Sequence, residues 1–176
     1  MSSFSVTNSW YLRNNYKSDQ ALSKLANRSE VSESKLSAAD SSALKRGIRA
    51  LRDYKYEDAK KVSSKDTDTV LGKGKFYSTL KAFADTYNYT LDSSKKSSNQ
   101  DIKKLSKSMQ NIAKKYSSEL DELGVTFDNK GYMSISASAV DNIKLSTYGE
   151  KFSDSDFLSD LEKNTQKIYR RIDTYL

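Results

Sequence analysis

The side chains able to do chemistry in this chain are carboxylates, lysines, serines and tyrosines, because its 176 residues include no cysteine and no histidine. Thiol nucleophiles, disulfides, cysteine-ligated zinc and imidazole general bases are thereby excluded. The densest acidic group is Asp154, Asp156, Asp160 and Glu162, and paired carboxylates can bind a metal or exchange protons. Its position favours a structural role, since acidic residues in a first helical turn complement the macrodipole. Ser153 and Asp156 have the spacing of a capping box. Gly72-Lys73-Gly74-Lys75 lacks the spacing and the preceding strand of a phosphate loop, and its glycines predict a turn or a loose helix start. Asp128-Asn129-Lys130-Gly131 lacks the alternating oxygens and closing glutamate of a calcium loop. No catalytic, metal or cofactor signature remains, and the expected activity is non-enzymatic.

Basic charge is the second feature with chemical meaning. The formal net charge is +7, and between Lys95 and Lys115 seven lysines stand against Asp101 alone. They flank the Ile102, Leu105, Met109 stripe instead of forming a second continuous band, which is the pattern of a solvated helix face. Binding to nucleic acid is the alternative; no helix-turn-helix, RNA-recognition or zinc-finger pattern accompanies it.

The elements that would carry these residues are mostly helical. Phe76, Leu80, Phe83, Ala84, Tyr87 and Leu91 recur at steps of three and four, as do Ile102, Leu105, Met109, Ile112, Tyr116, Leu120 and Leu123. Gly124 follows at a helix-stop position, and Asp128 to Gly131 is turn chemistry between two short alternating runs, predicting a β-hairpin over 125–135. Upstream, Leu22, Leu25 and Ala26 suggest a helix from Ser18, and Ser37 to Tyr56 a stronger one carrying Leu44, Ile48 and Leu51. Gly47 within the latter predicts close approach of a neighbouring helix. Downstream, a short helix is expected at Ser136 to Lys144, a loop at Tyr148-Gly149-Glu150, and a final helix with Leu158, Leu161, Thr165, Ile168, Ile172 and Tyr175 in a coiled-coil-like seam.

Phe83-Ala84-Asp85-Thr86-Tyr87-Asn88 resembles the Phe-Val-x-x-Tyr-Asn signature of the flagellar filament-capping protein family, also called hook-associated protein 2. The run from Leu120 to Ile135, with Leu123-Gly124 and Asp128 to Gly131, is similar to that family's Leu-Gly-Ile, Asp-x-x-Gly passage, and the two motifs stand in the family's order. Phe83, Tyr87, Asn88, Leu123, Gly124, Asp128 and Gly131 carry the likeness, which covers about a third of the chain in a reduced form of the family's helical region. It implies flagellin-like subunits, further copies of the chain and an export chaperone as partners, and an extracellular place at a bacterial flagellum; a cytoplasmic location is the alternative.

Composition agrees with helices. There is no proline, 30% of residues are charged and 36% are hydrophobic, which favours uninterrupted helices around a thin core. The fold expected is all-α, an elongated helical bundle or coiled coil with the small hairpin. Its divisions are an N-terminal arm and helical segment (1–58), a polar connection (59–69), and a helical hairpin, β-hairpin and C-terminal helix (70–176). No stretch reaches the roughly 20 apolar residues of a membrane span, and residues 1–6 have neither the basic nor the apolar region of a cleaved secretory signal. Twelve tyrosines and six phenylalanines exceed what a slender bundle can bury, so some should meet a partner. The irregular arm with Trp10 and Tyr11, and the C-terminal seam at Leu158, Leu161, Ile168, Ile172 and Tyr175, are the surfaces expected to do so.

Overall fold

Four helical segments have one apolar face each, and the computed structural model satisfies all four against one another. It describes Arg28, residues 31–56 and residues 67–173, with side chains described over 31–56 and 73–172. The chain divides into two units, Met1–Ser32 and Glu33–Leu176. Of the first, Arg28 is helical and Val31 and Ser32 are exposed; the architecture that follows is that of the second. The helix expected from Ser18 lies outside the described residues.

Helix α1 (Glu33–Arg52) is followed by α2 (Thr67–Lys96), α3 (Gln100–Lys115) and the short α4 (Ser117–Asp121). Strands β1 (Val125–Phe127) and β2 (Met133–Ile135) come next, then α5 (Ala137–Asn142), α6 (Leu145–Phe152) and α7 (Asp156–Asp173). Helices α1 and α3 each pack on both α2 and α7. Ser98 N–H donates to Glu33 at the start of α1 (2.9 Å), Arg52 at its end pairs with Glu162 (2.9 Å), and Arg171 reaches Asp101 (3.6 Å). Successive bundle helices therefore run antiparallel, as in an up-down four-helix bundle, with α4 to α6 and the hairpin inserted before the last helix. The unit is an all-α bundle with one small β-hairpin.

Local chemistry explains the boundaries. Lys95 and Lys96 close α2, and Asn99 caps α3 by accepting from Asp101 N–H (2.9 Å) and Ile102 N–H (3.4 Å). Gly72 and Gly74 lie within α2 and make neither a turn nor its first residue. The cap of α7 is Ser155, whose hydroxyl accepts from Leu158 N–H (3.4 Å). The capping box on Ser153 does not form, because Ser153 is still helical and its N–H closes α6 on Gly149 O (3.0 Å). Nor is Tyr148-Gly149-Glu150 a loop. It lies in α6, where a Cβ on Gly149 would come 2.8 Å from Tyr56 Cβ, so the glycine admits Tyr56 and does not mark a break. Gly47 is where α1 and α2 meet closely; a Cβ there would stand 3.1 Å from Thr86 Oγ1.

The core is thicker than a two-row seam. Tyr54 and Tyr56 set their rings against Phe76, which meets Tyr148 at 4.5 Å, while Phe83, Tyr116 and Phe127 converge on Phe157. Helices lying on one another along several faces enclose more volume than a rod, and this absorbs aromatic residues expected at the surface. Among the described residues only Val31, Tyr89 and Tyr169 are large exposed hydrophobics. On α3 the buried line is Ile102, Ser106, Met109 and Ala113, so Leu105 and Ile112 sit on its flanks, half-buried. Small residues at the contact let the helices approach. The compact unit begins at Glu33, within the segment 1–58 read as an N-terminal arm and helical segment.

Candidate functional site

The two motifs that carry the family resemblance form one junction between α2 and the hairpin. Phe83 and Tyr87 lie on the core face of α2, and Asn88, next to them, faces β2. Its amide nitrogen donates to Met133 O (2.9 Å) and its amide oxygen accepts from Met133 N–H (2.7 Å), so this side chain binds the strand edge as a neighbouring strand would. Tyr87 meets the Phe127 ring at 5.9 Å. Burial, and secondarily the charge of Asp128, holds its hydroxyl well above the ordinary tyrosine range.

The turn is built by Asp128, whose carboxylate accepts from Lys130 N–H and Tyr132 N–H (2.8 Å each). Gly131 has φ of 81° and lies against Gln110, which donates to Lys130 O (2.7 Å). Gly124 has φ of 72°, and a Cβ there would come within 2.3 Å of Ala139 Cβ. Leu123 is buried, and its carbonyl accepts from Tyr148 Oη (2.9 Å), whose hydroxyl burial pushes up to about 12. Six of the seven motif residues thus lie at the hairpin or hold it, whereas Phe83 packs on Phe157 of α7 (6.3 Å).

The expected interaction residues divide differently. Leu158, Leu161, Ile168 and Ile172 are between 0% and 2% exposed. They fill the chain's own core against α1 and α3, which corrects their reading as a docking seam; the stripe that continues along α7 is matched by helices already present. Trp10, Tyr11 and Tyr175 lie outside the described residues.

Three titratable groups meet between α3 and α7. Asp160 accepts from Tyr116 Oη (2.8 Å) and Lys115 Nζ (3.1 Å), and Lys115 Nζ donates to Tyr116 Oη (2.7 Å). The hydrogen bonds from Tyr116 and then Lys115 lower the Asp160 carboxyl below its ordinary range, while those to Tyr116 and Asp160 raise Lys115 to about 12. Both shifts fix the charged forms, the opposite of what a nucleophilic lysine or a general acid needs. Periodicity alone gave no sign of this trio, because Asp160 is brought to Lys115 by helix packing.

Of the other lysines in the 95–115 stretch, Lys96 pairs with Asp92 (2.8 Å) and Lys104 with Asp101 (3.3 Å). Lys95 donates to Lys130 O (2.9 Å) and covers the Tyr132 ring at 4.5 Å; burial lowers its pKa, with Asp128 and Asp92 opposing. Four of the seven are thereby engaged with neighbours, which breaks up a continuous phosphate-binding track. Among the described residues no three carboxylates or other metal-ligating side chains come together, and no helix is long and apolar enough to cross a membrane. Comparison with protein-family models, curated proteins and solved structures finds no match to this chain.

Proposed function

We propose that this chain is a structural and interaction protein without catalytic activity, similar in its helix-hairpin module to the flagellar filament cap. It assembles with flagellin-like subunits or copies of itself, is carried by an export chaperone, and works outside the cell at a bacterial flagellum. The observation supporting this reading is the Asn88 clamp on Met133, because it joins the two stretches of family-like sequence, 45 positions apart, into one physical unit. Exposed tyrosines suit such contacts. With Leu158, Leu161, Ile168 and Ile172 spent on the core, the contact role rests on Trp10 and Tyr11 and on the exposed Tyr89 and Tyr169.

Sedimentation of the full chain alone and with flagellin tests the proposal. Self-association or flagellin binding is expected, weakened by deleting residues 1–16 and little changed by added salt. A chain that stays monomeric and binds no flagellin at high concentration refutes it. Binding to nucleic acid that falls steeply with salt would replace it with the phosphate-binding alternative.

A further inference from the structure

Between α1 and α7 lies a groove of about 340 Å³ bordered by Ser41, Ser42, Lys45, Gln166, Tyr169 and Arg170. Among the described residues no carboxylate lines it, whereas the larger cavity of about 540 Å³ near the start of α1 has both Glu33 and Asp101 in its wall. Ser41 is 1% exposed, and its Oγ is one of four buried side-chain atoms without a hydrogen-bond partner among the described residues. The other three, on Ser37, Ser94 and Asn164, do not line the groove. A buried hydroxyl left unpaired is a standing cost to the fold, and such atoms call for a physical explanation.

We propose that this groove binds a phosphate group. The Ser41 and Ser42 hydroxyls and the Gln166 amide can donate to its oxygens, and Lys45 supplies a point charge. Tyr169, half exposed at the rim, offers a ring face to whatever group carries the phosphate. An oxyanion there gives Ser41 the partner it lacks. A bound anion would be repelled by an acidic side chain, and among the described residues the larger cavity's wall has two and this groove's wall has none.

The test is an NMR titration and thermal denaturation of the full chain with sodium phosphate and with phenyl phosphate, ionic strength being held constant with sodium chloride. Saturable shifts are expected at the Ser41 and Gln166 amides, with a rise in Tm. Lys45→Ala should weaken binding about tenfold, the loss of one hydrogen bond to a charged group, while Lys107→Ala, on the exposed face of α3, should leave it unchanged. Ser41→Ala removes an unpaired buried oxygen, so it should melt higher than the parent without phosphate and yet lose most of the phosphate-dependent rise. Tighter binding of phenyl phosphate would assign a phosphate ester with its flat group on Tyr169, and equal binding phosphate alone. Shifts that never saturate, or that persist undiminished in both Lys45→Ala and Ser41→Ala, overturn the site.

Discussion

Asn88 does at residue scale what a third strand would do for the hairpin. A two-stranded ribbon is barely stable alone, and here one amide satisfies both main-chain groups of Met133. Asn88→Ala should cost about 2 kcal/mol in urea denaturation, since it leaves two half-buried backbone groups unpaired; an unchanged midpoint would mean that water replaces the amide. The glycines give opposite signs. Gly124→Ala places a Cβ at positive φ and against Ala139, so a loss of roughly 1–3 kcal/mol or more is expected. Gly74→Ala meets nothing within 4 Å in the body of α2, and helix propensity should raise stability by about 0.5–1 kcal/mol. Both are read from the same denaturation series.

At element scale α7 is the keystone, meeting α1 on one side and α3 on the other. Ile168→Ala should cost about 2–5 kcal/mol by cavity formation, visible as a lowered melting temperature in the monomer; an effect confined to self-association would restore the docking-seam reading. The ion pairs holding α7 to α3 give a pH signature. The lowered Asp160 carboxyl contributes stability above its unfolded value near 4, lost as pH falls through its folded value. Lys115, raised to about 12, contributes below its unfolded value near 10.5 and stops as pH rises through about 12. Tyr148 adds to the alkaline loss. Its hydroxyl, held up to about 12 by burial, stays neutral in the fold after the unfolded chain has begun to ionise near pH 10. Melting temperature should therefore fall from about pH 10 upward, and less steeply in Tyr148→Phe; equal slopes would show that this hydroxyl titrates freely in the folded state.

At the scale of the whole unit, buried aromatic rings gather toward one end of the bundle and buried serines toward the other. Phe76, Tyr148 and Phe152 fill the first, and Ser37, Ser41, Ser94 and Ser97 are buried toward the second. The aromatic end joins the segment after α1 to α2 and α6 through ring contacts, while small side chains let the helices at the serine end approach without interlocking. Hydrogen exchange should be slowest around Phe76 and Tyr148 and faster along the first turns of α1, because opening there exposes less apolar surface. Uniform protection from Glu33 to Arg52 would contradict that division.

The sequence by itself marked the cores of the four long helices and the place where the hairpin turns. Apolar spacing marked the buried face of α2, and Gly124, Asp128 and Gly131 act through backbone conformations that depend on a few adjacent residues. Its reading stopped where a side chain's neighbour comes from far along the chain. The α7 stripe looked the same whether α1 and α3 or another molecule covered it, and Tyr148-Gly149-Glu150 looked like a loop until Tyr56 occupied the space beside Gly149. The Lys115, Tyr116 and Asp160 trio and the Ser41 groove likewise exist only because antiparallel packing brings distant turns together. Periodicity states that a face must be buried, whereas the partner that buries it is chosen by the total area the packed helices remove from water, and that choice belongs to the tertiary structure.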